Sequence, residues 1–143
     1  MSFDLKLQQG DIQISTSNDL AIVENGEKLI QDVLKIVTTQ LGANQRFPWY
    51  GCPISQSMIG TAFDSIFVQT VATNQLRFSI TNLQRLQKEQ LRTDQMVTDQ
   101  EQIAAMQNAN ISQNTIDPRF YNIDLEILSK AFRRIPASFS VTL

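Results

Sequence analysis

The side chains able to do chemistry are the carboxylates, one thiol and one compact polar triplet. Asp4, Asp11, Glu24, Asp117, Asp124 and Glu126 are candidates for the paired acids of glycoside hydrolysis. That reaction needs two carboxyls held about 5 to 9.5 Å apart, one with a raised pKa. Acids are common in a chain of this length, however, and no pair is marked out by its setting. Asp124 and Glu126 share the polar face of one alternating segment, where solvation is the usual fate. Histidine is absent, which removes Ser-His-Asp and Cys-His catalysis and most catalytic zinc sites. Cys52 is the single cysteine; it cannot close an internal disulfide and fits a reducing compartment. A thiol nucleophile needs a base or a cationic neighbour, and the nearest basic residue in sequence is Arg46, so Cys52 reads as a packed, inert thiol. Phosphate-cradling glycine loops and cysteine pairs are missing. The chain therefore reads as a non-enzyme with no catalytic residue, metal site or cofactor. The one compact polar motif is Asp117-Pro118-Arg119. Pro118 holds Asp117 extended, and Arg119 offers a planar fork for a carboxylate or for backbone carbonyls. It reads either as a contact site or as a turn carrying a solvated arginine.

The elements that must position these groups follow from periodicity. Phe3, Leu5 and Leu7 alternate with Asp4, Lys6 and Gln8, the period of a half-buried strand. Gly10-Asp11 interrupts it, Ile12 and Ile14 resume it, residues 15–19 read as a turn, and residues 20–23 as another short strand. A hairpin or meander is expected there. Asn25 is a candidate N-cap with Glu27 in the first turn. Leu29, Ile30, Val33, Leu34, Ile36, Val37 and Leu41 then recur at helical spacing, and Gly42 stands where a helix-ending glycine would. A helix is expected over 26–41.

Residues 42–57 contain Gly42, Pro48, Gly51 and Pro53 and cannot form a regular element. Phe47, Tyr50 and the single tryptophan, Trp49, lie within this loop. They serve either as binding anchors or as plugs that fix the loop to the core. Residues 57–95 read as helix in two pieces, with a phase shift after Gln69 and Asp64 as a cap of the second piece. A narrow apolar seam facing Arg85, Lys88, Glu89 and Arg92 suggests either a contact with another chain's helix or an ordinary core contact. Thr98 to Glu101 has capping-box form ahead of Ile103 to Met106, so a short helix is expected over 98–106. Residues 109–112, 120–128 and 139–143 read as strands, the middle one by clean alternation. A terminal strand either pairs internally or offers an open edge. The chain is expected to be α+β, a single domain over 1–143 with N-terminal strands, central helices and C-terminal antiparallel strands.

Composition narrows the partners. Only 18% of residues are charged and the net charge is −2, which gives no electrostatic footprint for nucleic acid. Arg133-Arg134 is the densest basic cluster and is too small to count. Glutamine and asparagine are spread over the chain and read as surface and interface groups. No secretory leader is expected after Met1, and no apolar run approaches the roughly 20 residues of a membrane span.

The N-terminal residues resemble a known family. Asp4-Leu5-Lys6-Leu7, Gly10-Asp11-Ile12, residues 19–23 and Glu27 through Leu34 are similar to the opening of the baseplate wedge proteins of contractile phage tails, some of them called lysozyme-like. Thr38-Thr39, Gly42 and Pro48-Trp49-Tyr50-Gly51 resemble that family's helix end and loop. The resemblance covers about residues 3–60 and is loose beyond them. It implies a structural part of a tail baseplate in the virion, assembled in the host cytoplasm, that docks on wedge proteins and starts the tail sheath by strand pairing. The implied partners are wedge proteins and the sheath protein, with tube or hub proteins as further candidates, and neither nucleic acid nor membrane. The implied wedge contacts are Pro48, Trp49, Tyr50, Gly51, Asp117, Pro118 and Arg119; the implied sheath strand carries Phe139, Val141 and Leu143. The family has Glu-Pro-Arg where this chain has Asp117-Pro118-Arg119, which is one carbon shorter and follows an interposed segment over 84–114. On this reading a chain cut before residue 136 folds but starts no sheath. The alternative is a cell-wall hydrolase of the tail.

Overall fold

The computed structural model describes residues 2–58, 65–93 and 96–142. Strands β1 (Phe3–Leu5), β2 (Leu7–Gln8), β3 (Asp11–Ile12) and β4 (Ile22–Glu24) come first, then helices α1 (Asn25–Thr38), α2 (Ile54–Met58) and α3 (Ser65–Arg92), then strands β5 (Ile103–Gln113), β6 (Phe120–Ser129) and β7 (Arg134–Thr142). The α+β class expected from sequence is the class observed. β5, β6 and β7 form an antiparallel meander in that order. β6 is its clearest alternator: Tyr121, Ile123, Leu125 and Ile127 are buried, whereas Asn122 and Asp124 are exposed. Two helices cover the buried face, with α1 against β7 and α3 against β5. They contribute Leu29, Val33, Ile36 and Val37 from α1, and Ala72, Leu76, Ile80 and Leu83 from α3. This helical stripe on an alternating sheet face is the standard two-layer way to bury both apolar surfaces.

Several expected boundaries move. α1 opens at Asn25, which sits at φ 52 and does not cap it; Glu24 holds the cap position without a side-chain bond. The helix ends at Thr38, where Thr38 Oγ1 and Thr39 Oγ1 bond back to the carbonyls of Leu34 and Lys35 at 2.6 Å each. The chain cannot simply continue into the loop, because Gly51 returns across this point. A Cβ on Gly51 would lie 2.8 Å from the Thr39 carbonyl, and its φ is +131, a region that glycine alone enters freely. α3 is continuous through Gln69, so the expected break there is absent, and its seam is covered within the chain by α1, α2 and β5. The cap assigned to Asp64 lies outside the described residues.

The expected helix over 98–106 is a turn followed by strand. The carboxylate of Glu101 does reach back to the Thr98 N–H at 3.2 Å, as in a capping box. Ile103 N–H is then taken by Gln87 Oε1 at 2.9 Å, and Ile103 pairs with Ser129. Sheet pairing outweighs the helix propensity of residues 103–106, a weak preference that tertiary contacts override. Glu101 itself is buried and fastens three segments: Ser2 Oγ at 2.7 Å, Asn25 N–H at 3.2 Å and Thr98 N–H.

A cut before residue 136 does not leave the rest intact. β7 contributes Ala137 to the core, with Phe139 and Val141 packed against it.

Candidate functional site

The aromatic loop is tied down from both sides. Trp49 is half-buried. The Arg85 guanidinium lies 5.6 Å from its ring centroid, within cation–π range, and Phe47 meets it edge-on at 5.9 Å. The Trp49 carbonyl accepts from Asn82 at 3.2 Å, and the Gly51 carbonyl accepts from Ser79 Oγ at 3.0 Å. Cys52 N–H bonds the Thr39 carbonyl at 2.8 Å. Tyr50 packs against the core, and burial, with the Asp32 and Asp4 carboxylates, raises its phenol above the usual value. Burial likewise raises the Cys52 thiol, which agrees with an inert, packed thiol. The loop thus fixes the end of α1 to α3, and Phe47 and Pro48 are the parts left exposed.

Asp117, Pro118 and Arg119 lie elsewhere, at the tip of the β5–β6 hairpin. Arg119 forks onto its own neighbour, Nε to Asp117 Oδ1 at 3.1 Å and Nη2 to Oδ2 at 3.0 Å. That hydrogen bonding from Arg119 lowers the Asp117 carboxyl below its ordinary value. Asn114 Oδ1 supports the turn through Ile116 N–H at 2.8 Å. The loop at 48–51 and this tip therefore sit on different elements.

The carboxylates raised above as acid candidates have assigned work. Asp4 takes Lys35 and Gln31, Asp124 takes Ser138 Oγ at 2.7 Å, and Glu126 pairs with Arg134 at 3.3 Å. Among the described residues no cluster of three or more His, Cys, Asp or Glu could hold a metal ion. No helix among them is long and apolar enough to cross a membrane.

The two edges of the C-terminal sheet differ. Along β5, glutamines of α3 act as substitute strand partners. Gln69 bonds the Ala109 carbonyl at 2.7 Å and the Ile111 N–H at 3.1 Å. Gln87 bonds the Glu101 carbonyl at 2.8 Å as well as Ile103 N–H, and Gln84 reaches the Ala104 carbonyl at 3.1 Å. A carboxamide carries one donor group and one acceptor, as a peptide does, so this edge is closed.

β7 has no such cover. The hairpin bond from Ser129 N–H to the Arg133 carbonyl, 2.9 Å, sets the phase of the β6–β7 ladder. Paired residues then alternate, so Ile135, Ala137, Phe139 and Val141 turn their backbone toward β6. Pro136, Ser138, Ser140 and Thr142 turn theirs outward. Pro136 fits this phase, since it has no N–H to give and prolines in sheets belong on edges. The Phe139 and Val141 side chains are half-buried on the inner face; Leu143 lies outside the described residues. The backbone available to a partner is thus that of Ser138, Ser140 and Thr142, one residue out of step with the expected Phe139, Val141 and Leu143. Sequence reasoning missed these three and the α3 glutamines. Pro136 was the available signal, because it fixes which residues face out.

No protein-family model matches the chain, and no curated protein matches it. A crystal structure from Geobacter sulfurreducens, of a protein provisionally named a tail lysozyme, is similar over 93% of this chain and 96% of that one, with a TM-score of 0.62 and 12% sequence identity. At that identity the likeness shows the fold alone.

Proposed function

We infer that the chain is a structural component of a contractile phage tail or a related injection machine. It docks on the baseplate wedge and starts sheath assembly by accepting a sheath strand along β7. The observation that carries this reading is the asymmetry of the sheet: the β5 edge is closed by glutamines, while Ser138, Ser140 and Thr142 present unpaired backbone. Strand addition draws its affinity from such main-chain bonds, and an uncovered edge in a small protein is otherwise a liability that sequences suppress. The resemblance over residues 3–60, and a fold shared with a protein named for a phage tail, support the setting. Phe47 and Pro48, with the hairpin tip at 117–119, are the exposed parts of the proposed wedge contacts.

Ser140→Pro tests the reading. It removes one outward N–H and no bond to β6, so the protein should keep its circular dichroism spectrum and melt within a few degrees of the parent. In an assembly reaction with wedge and sheath proteins it should yield baseplates without sheath. Sheathed tails at parental yield would refute strand addition at this edge. The rival is the activity named for the Geobacter protein. Lysis of purified peptidoglycan that is lost when one or two acids become amides would favour that rival.

A further inference from the structure

The N-terminal strands turn their apolar side away from the molecule. Register places Leu5 beside Ile22, Leu7 beside Ile12 and Ile14 beside Leu20, so alternation sends all of these, with Phe3, to one face. The opposite face meets α1: Val23 is buried, and Asp4 binds Gln31 and Lys35. On the outer face Phe3, Leu7, Ile12, Ile14, Leu20 and Ile22 are 38% to 65% exposed. The alternation reads in sequence as half-buried strand, yet nothing in the described chain covers its apolar half. Six side chains, each about half open and each of order 200 Å² when fully open, expose about 600 Å². A contiguous apolar patch of that order on a soluble chain marks an interaction site.

Two observations identify the occupant. First, the backbone here is already engaged. Lys6 N–H bonds the Ala21 carbonyl at 2.8 Å, Ala21 N–H bonds the Gln13 carbonyl at 2.9 Å, and Gln13 N–H bonds the Lys6 carbonyl at 3.0 Å. Gln31 of α1 takes Leu7 N–H at 2.9 Å and the Leu5 carbonyl at 2.8 Å. A partner therefore packs on side chains and does not add a strand, and an apolar sheet face is commonly covered by a helix. Second, the surroundings are acidic. Residues 2–24 hold four carboxylates against one lysine, and Asp11, Asp19 and Glu24 form no ion pair among the described residues. A second copy would bring like charges together, and its apolar contribution would fall short of the roughly 800 Å² per partner of a standard interface.

We propose that this face is a second docking surface, distinct from the β7 edge, and that its occupant is an amphipathic helix of a partner chain with an apolar stripe flanked by lysine or arginine. The proposal stands whether or not the tail reading does. The full chain is titrated with two synthetic helical peptides of one pattern, one of leucine and lysine, the other of leucine and glutamate. The leucine–lysine peptide should bind and the leucine–glutamate peptide should not, while the chain alone sediments as a monomer. Ile14→Ser with Leu20→Ser leaves the charge unchanged and should weaken binding at least tenfold at an unaltered melting temperature. Should that variant fail to fold, Asp11→Asn with Asp19→Asn should weaken the same binding several-fold. Undiminished binding by both folded variants overturns the proposal, as do equal binding of the two peptides or a dimer that the serine variant dissolves.

Discussion

Asp4 shows how one exposed-looking acid in an alternating strand acquires a structural role. Burial works to raise its carboxyl, but the hydrogen bond and charge of Lys35, with bonds from Leu5 N–H and Gln31, outweigh it and hold it below the ordinary 3.8. A carboxyl that is more acidic folded than unfolded adds stability above the unfolded value, and that stability is lost as pH falls through the folded value. Asp4→Asn should therefore cost up to about 1 kcal/mol near neutral pH, a size suited to a partly exposed ion pair. The gap between parent and variant should close below pH 3.8, as read by urea denaturation across pH. A gap that persists at low pH would mean that Asp4 acts through shape alone. The neighbouring Asp32 runs the other way: its burial raises it despite the bonded Lys28, so its charge weighs against folding at neutral pH.

At the scale of elements, the glutamines explain how helices and sheet edges are matched. Gln31 serves the N-terminal strands, and Gln69, Gln84 and Gln87 serve β5, each on the helix that lies alongside. Gln87 is buried, so Gln87→Leu strands the Ile103 N–H and the Glu101 carbonyl; an unmet buried polar group costs about 1–3 kcal/mol. Gln69→Ala, nearer the open end, should cost less but uncover the edge at residues 109–111. Chemical denaturation should rank Gln87→Leu as the more damaging change. Light scattering should show self-association in Gln69→Ala, since an uncovered edge invites pairing. The ordering fails if both variants match the parent in both assays. These roles were not legible beforehand, because a glutamine spread through a sequence looks like surface whichever neighbour it meets. Helix α1 was legible, because its apolar repeat is long and regular.

For the molecule as a whole, stability should be uneven. Ile123, Leu125 and Ile127 lie under both helices, whereas the N-terminal strands expose their apolar face and rest on α1 through a few polar bonds. Amide exchange is slowest where buried contacts are densest. Amides of β6 should therefore exchange only with global unfolding, and those of residues 11–21 should exchange by local opening at lower cost. Binding of the leucine–lysine peptide should slow the second group and leave the first unchanged. Equal protection of the two regions in the free chain would contradict this division.

By itself the sequence determined the α+β class, the main helix, the central alternating strand and the irregular aromatic loop. Each of these rests on local periodicity or on Gly and Pro, whose constraints act within a few residues. Tertiary structure alone decided that residues 103–106 join a sheet, that Trp49 clamps α3 and that Arg119 turns onto Asp117. It also decided that one edge of the sheet is closed while the other is open, and that the apolar half of the N-terminal strands faces outward. An alternating pattern states which residues share a face; only the packing of distant elements decides whether that face meets the core.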